Sequence, residues 1–290
     1  MTFQVHHPPE PHRKALIGSK SSFWLHSSRC GFDLIQPSSA STLSSSPKIN
    51  LPITMFPPKS ALVIIDMQNF FLSSALGRKI DGVGHKACKQ LIEHAMSAAR
   101  KAKMRVVWVN WDVWVYSIPS SSSHSFSFEG EEVVASGEVA GSVGVDKHGK
   151  ERKNGIYKGI GSSLGPIKLE SGEEVDGGRL LMRSSWNASL YPPLQSLFEE
   201  GQKLENRPDQ FFEKEGITTL LFAGVNTDQC VGGTLTDAFS KGYDCILLSD
   251  GCETSSPGFA QEFWEYNAAH IFGFCTGCED LARRVAGIES

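Results

Sequence analysis

The chain has 290 residues, 40% hydrophobic and 21% charged, which suits one large α/β domain or two small ones. A formal charge of −4 gives nucleic acid or an anionic membrane surface nothing to grip. No apolar run approaches the ~20 residues needed to cross a bilayer.

The opening MTFQVHHPPEPHRK lacks an apolar stretch of the kind a secretory signal needs, so none is expected. Up to Pro52 the chain is rich in Ser and poor in acid. The embedded FWLHSSRCGFDLI is aromatic enough to dock on a body, so residues 1–56 are read as a partly docked extension. Seven cysteines, at 30, 88, 230, 245, 252, 275 and 278, form an odd set without framework spacing. That pattern points to reduced thiols and a cytoplasmic protein. Cys275 and Cys278 make a CxxC with no second pair and no His partner, so structural thiols are the default there.

From Ser60 the pattern sharpens. SALVIIDMQN is a continuous β-branched run closed by an acid, the signature of a buried parallel strand. His85 to Lys101 spaces Cys88, Leu91, Ile92, Ala95 and Ala98 helically, and MRVVWVNW reads as a second buried strand. This βαβ opening favours a parallel sheet with helices on its faces. Between about Ser117 and Gly155 the order lapses into a low-complexity insertion. PIKLESGEEVD predicts a hairpin turning at Ser171-Gly172, RLLM resumes an apolar run, and LYPPLQSLFEEG predicts a short helix. Thr218 to Val225 is the third parallel strand, with a helix over about Cys230 to Ser240 after it. YDCILLSDGC is the fourth strand, PGFAQEFWEYNAAHIF the last clear helix, and IFGFCT a short closing strand. His270 on that helix is read as a packed core histidine. The glycines of KGIGSSLG lack a preceding strand and a following Lys, so they are read as a plain loop.

Ligands of an open parallel sheet collect outside the carboxyl ends of its strands. Asp66, Asn110 to Asp112, and Asn226 to Cys230 all fall there. A thiol entering a helix feels the positive end of the dipole, which lowers its pKa and favours thiolate. Asp66 on an adjacent strand is placed to accept its proton. On position alone, Cys230 as nucleophile and Cys230 as small buried residue carry equal weight, as do Asp66 as base and Asp66 as cap.

ALVIIDMQNFF, followed far downstream by FAGVNTDQCVGGTLTDAFSKGYDCILLSDGC, resembles the isochorismatase-like cysteine hydrolases. The resemblance covers most of residues 57 to 280. It implies an α/β fold, three-layer α/β/α around a mainly parallel sheet, with residues 57–285 as the hydrolase domain. By position Asp66 matches the family's general base and Cys230 its nucleophile. A cis peptide is implied at Val225-Asn226, aiming the amides of Asn226 and Cys230 at one point as an oxyanion hole. The implied activity is C–N hydrolysis of a small amide or carbamoyl compound through a thioester. The cysteine favours this over isochorismate-type vinyl-ether hydrolysis, and the family implies a homo-oligomer.

The chain departs from the family at its lysine, whose charge steadies carboxylate and thiolate. In RLLMRSSWNASLY the matching position holds Arg183, which keeps the charge but cannot donate a proton. Compared with fungal-looking members, about one strand and half a helix are missing near Asp209-Gln210. The expected consequence is the loss of a central strand, with a catalytically impaired binding protein as the rival reading. Asp112 in NWDVW has no His two residues on, so neither metal nor other cofactor is expected. Trp111 and Trp186, with Asn110, are the candidates for lining the substrate pocket.

Overall fold

The computed structural model describes residues 12–18, 23–29, 31–34, 49–50, 53–111, 126–129, 132–135, 161, 163–199 and 208–286. Its centre is a five-stranded parallel sheet. The strands are β1 (Ser60–Ile65), β2 (Arg105–Val109), β3 (Thr219–Val225), β4 (Asp244–Glu253) and β5 (Gly273–Thr276), in the order β5-β4-β3-β1-β2. Every residue of β1 and β3 is buried, as expected of apolar β-branched runs covered on both faces.

The chain moves outward from β1 to β2 in one direction and from β3 to β4 and β5 in the other. Right-handed crossovers in opposite directions put their helices on opposite faces. The first crossover runs through Val83–Gln90, a wider π turn at Leu91–Ala95, and Met96–Lys101. It buries Ala87, Cys88, Leu91, Ala95 and Met96 against the sheet. Between β1 and β3 the direction of winding reverses, so their carboxyl ends flank the crevice where such sheets bind ligands.

The expected loss of a central strand is not what the chain does. β3 pairs directly with β1, from Thr219 opposite Ser60 to Gly224 opposite Ile65, and with β4 on its other side. The middle of the sheet is unbroken because Pro208–Glu215 forms a helix that leads straight into β3. RLLM is no sheet strand either. It lies in tight turns with Leu181 at φ 54° and Ser184 at φ 62°, and Leu180 and Leu181 enter a second small core with Phe70, Leu76 and Ile167.

The hairpin at Pro166–Lys168 and Glu174–Asp176 pairs as expected, with Gly172 at φ 85° in its turn. The helix Pro192–Glu199 also forms. A closing helix, Cys278–Ala286, was not among the sequence expectations. Its signal was present, since Cys278, Leu281 and Val285 fall on one helical face and are buried. His270 is exposed rather than core, stacked on Tyr266 one helical turn away. Within the expected insertion, Phe126–Glu129 and Glu132–Ala135 pair antiparallel, and most of its other residues lie outside those described.

The N-terminal strands Lys14–Gly18, Phe23–Ser27, Gly31–Asp33, Ile49–Asn50 and Ile53–Met55 form a second sheet. Trp24 fastens it to the body. Its ring centroid lies 5.2 Å from that of Phe274 on β5, and its indole N–H donates to Asp244 Oδ1 at 2.6 Å. Asp244 opens β4, and burial raises its pKa to about 6, with the bonds from Trp24 and Thr219 working the other way. Above pH 6 the carboxylate is ionised and needs both donors. Trp24→Phe is therefore expected to cost about 1–3 kcal/mol at pH 8, and less at pH 5 where Asp244 is protonated. Urea unfolding at the two pH values checks this, and an equal loss at both would remove the carboxylate from the explanation.

Candidate active site

Asp66 follows β1 immediately and is 2% exposed. Its backbone takes φ 54°, a left-handed conformation uncommon for a residue with a side chain. Its N–H donates to the Val109 carbonyl at 2.9 Å, and its own carbonyl accepts from the Gln68 N–H at 2.8 Å. Those two bonds turn the chain at the strand end and direct the carboxylate into the crevice beside β3. There Oδ1 accepts the Trp111 backbone N–H at 3.2 Å, and the carboxylate lies close enough to the Cys230 thiol for each to act on the other.

Gln68 holds the surrounding loops together. It is fully buried. Its amide nitrogen donates to the carbonyls of Trp111 at 2.7 Å and Ala188 at 2.6 Å, while its Oε1 accepts the Trp111 N–H at 3.1 Å. Residues from three distant parts of the chain are thus held around Asp66 by one side chain.

Cys230 sits in the turn Thr227–Val231, a π-type opening of the helix Gly232–Ser240 that follows β3. The Val225–Asn226 peptide bond before it is cis. The Asn226 carbonyl accepts from the N–H groups of Gln229 at 3.1 Å and Val231 at 3.2 Å, and Thr254 Oγ1 ties the turn to the end of β4 through Asp228 at 2.5 Å. The sulfur is half-buried.

The electrostatics differ from the sequence expectation. Burial raises the Asp66 pKa to about 7, with the bonds from Cys230 and Trp111 opposing it. Burial, the Asp66 charge and the shared hydrogen bond push the Cys230 thiol up to about 12. The helix end does not turn Cys230 into a resting thiolate, because desolvation and the adjacent carboxylate outweigh the dipole. At neutral pH the pair is a neutral thiol donating to a carboxylate that titrates near 7.

A model of the isochorismatase domain matches residues 203–280. A ureidoacrylate amidohydrolase of Klebsiella variicola is 25% identical over 249 residues, covering 81% of this chain and 90% of that one. Its counterpart in an Enterobacter strain is 24% identical over the same length, covering 81% and 92%. The crystal structure of a cysteine hydrolase from Pseudomonas syringae superimposes with a TM-score of 0.51 at 18% identity, covering 84% of this chain and 99% of that one, and shares the fold. Residues 203–280 thus resemble an isochorismatase domain, and the chain shares the fold of isochorismatase-like hydrolases.

Asp66 and Cys230 meet, with Trp111, Val225 and Asn226 beside them, while Arg183 and Trp186 lie apart. Arg183 is exposed on a turn beyond β2. The groups that set the pKa of Asp66 are Cys230 and Trp111, and Arg183 is not among them. Asn187 ties that segment back on itself. The Asn187 side chain accepts the Leu181 N–H at 2.7 Å and donates to the carbonyls of Gly177 and Arg179 at 2.7 and 2.9 Å. Trp111 and Trp186 pack on the second core rather than on the larger cavity described below. Trp111 nevertheless reaches the acid, through its backbone N–H to Asp66 Oδ1 and with its side chain near both Asp66 and Cys230. Asn110 is half-buried, and its Oδ1 has no hydrogen-bond partner among the described residues. Asp112, which lacks a His two residues on, lies outside them. Gln68 was missed, although its place two residues after Asp66 at a strand's carboxyl end was available as a signal.

Among the described residues six cysteines are free thiols: Cys88, Cys230, Cys245, Cys252, Cys275 and Cys278. Among the described residues no cluster of three or more metal-ligating side chains occurs, and no helix is long and apolar enough to cross a membrane.

Proposed function

We propose that the protein cleaves a C–N bond of a small amide or carbamoyl compound, with Cys230 as nucleophile, Asp66 as general base and a thioester between them and product. The observation that carries this reading is the meeting of a thiol and a buried carboxylate at the switch point of the sheet, where each acts on the other and burial raises the acid to about 7. A base that titrates near the working pH combines a useful ionised fraction with real affinity for the proton.

Because the resting thiol is neutral, proton transfer and attack belong to one step. Asp66 takes the S–H proton as sulfur bonds to the carbonyl carbon, and the carbonyl oxygen becomes an oxyanion. The N–H groups of Asn226 and Cys230 are the proposed donors to it. The tetrahedral intermediate collapses as Asp66 returns the proton to the leaving nitrogen, releasing ammonia or an amine. Water then attacks the thioester, gives a proton back through Asp66, and frees the acid and the thiol.

Intact-mass analysis after rapid quenching with an amide substrate tests this directly, expecting an acyl adduct that maps to Cys230. A second expectation concerns the free protein. At pH 8 iodoacetamide should alkylate Cys230 at least about tenfold more slowly than free cysteine, because a thiol pKa near 12 leaves little thiolate. Faster labelling than free cysteine would mean that a cation lowers the thiol pKa after all. The rival reading is a binding protein that has lost catalysis. It is supported by the absence of any lysine or arginine from the groups acting on Asp66 and Cys230 among the described residues. Turnover without an adduct sinks the thioester, and binding without turnover favours the rival.

A further inference from the structure

Across Asn226 from the pair, the carboxyl edge of the sheet holds a cavity of about 500 Å3. Val225 and Asn226 at the end of β3, Phe71 and Leu72 after β1, and the 254–256 loop after β4 contribute to its wall. It therefore opens at the switch point, where open α/β sheets take their ligands. Asn226 belongs both to this wall and to the turn that carries Cys230.

The rest of the wall is residues 77–79 and 81–86, which bring Arg78, Lys79, His85 and Lys86 against one carboxylate, Asp81. Arg78 is the informative member. It is half-buried, its Nε donates to the Phe70 carbonyl at 3.0 Å, and its guanidinium carbon lies 5.1 Å from the Phe70 ring centroid. Among the described residues no carboxylate pairs with it, and burial lowers its pKa. Buried charges in folded proteins are ordinarily paired, so a cation left without counter-charge in a cavity wall marks a place for an anion. Lys79 and Lys86 are exposed at the rim, and Lys86 also acts on Glu253 nearby.

We propose that this cavity is an anion subsite of the hydrolase pocket, seating a carboxylate carried by the substrate, with Arg78 as its main cation. The substrate class is then an amide or carbamoyl compound that bears a carboxylate a few bonds from the scissile C–N bond. What the anion is attached to rests on the hydrolase reading above; that an anion binds does not.

Two isosteric amides, succinamate and the neutral succinamide, separate the charge from the shape. The wild-type kcat/KM should favour succinamate, and Arg78→Met should cut that preference by about tenfold to a hundredfold, the worth of a charge-assisted hydrogen bond. Arg78→Lys should restore part of it. Because Arg78 also holds the Phe70 carbonyl, a Lys79→Met/Lys86→Met double variant is measured beside it. Its two exposed positions should leave the melting temperature unchanged while the preference falls severalfold, and this variant decides the matter if Arg78→Met does not fold. Calorimetric titration with succinamate gives the second readout. Binding to the wild type that weakens in Arg78→Met, with neither amide hydrolysed, supports the subsite and sinks the hydrolase reading. Hydrolysis of both amides with a ratio that none of these variants changes overturns the subsite and leaves the hydrolase standing.

Discussion

Asp66→Asn is expected to lower kcat/KM for an amide substrate by about 10²–10⁴-fold and, at pH 8, to make the protein more stable. The two effects have one cause. Burial raises the Asp66 pKa to about 7, against 3.8 for an unperturbed group. An acid whose native pKa lies above its unfolded value holds its proton more tightly when folded. Below pH 3.8 both states are protonated and the position costs nothing. Between 3.8 and about 7 the unfolded chain ionises first, so stability falls as the pH rises, and above 7 the cost is constant. Asparagine keeps an oxygen to accept the Trp111 N–H and carries no charge to desolvate. The variant should gain roughly 2–4 kcal/mol at pH 8 and almost nothing at pH 4. The wild-type rate should rise with pH along a limb centred near 7, and that limb should vanish in the variant. Unfolding curves at pH 4 and 8 with a pH–rate profile check both halves. Full activity in Asp66→Asn removes it as the base, and a destabilised variant at pH 8 contradicts the buried-carboxylate account.

Gly224→Ala should be the most disruptive single-methyl change near the site. Gly224 has φ 126°, where a side chain is strained, and a Cβ there would lie 2.0 Å from the Ile65 carbonyl oxygen and 2.7 Å from its nitrogen. Neither atom can yield, because both belong to the backbone of β1 directly before Asp66. The clash must push β1 and β3 apart at the point where acid and thiol meet. The expected cost is about 3–5 kcal/mol, from overpacking and backbone strain together. Activity should fall well beyond what reduced folding explains, since a displacement of about 1 Å at reacting groups can cost 10²-fold. Denaturant midpoints and kcat/KM on the folded fraction measure it. A variant within 1 kcal/mol of wild type with normal turnover would falsify the close approach of the two strand ends.

Much of this was open to reading because it is local. A run such as ALVIID states its own burial through unbroken β-branched residues, and its closing acid marks the strand end. The same holds for TTLLFA before GVNTDQC. Parallel order, and with it the meeting of Asp66 and Cys230 across 164 positions of chain, followed from where those runs stop and from the resemblance of the two motifs. RLLM failed for a physical reason. Its apolar side chains satisfy a small second core, so their burial says nothing about pairing, and Asn187 supplies the loop with hydrogen bonds that a strand would have had from a neighbour. Arg183 was then placed by register in a segment that has no sheet register.

Residue types and their order by themselves determined the strands β1 to β5 and the candidate pair Asp66 and Cys230, and the family resemblance implied the position of the cis bond. Tertiary structure decided the charge state of that pair. A helix end favours thiolate in any local view, but the pKa of a group depends on how much water and which charges surround it in three dimensions. Here the surroundings are a buried carboxylate and an indole, with a cation-lined cavity on the far side of Asn226, and that arrangement makes Cys230 a thiol that ionises only as it attacks.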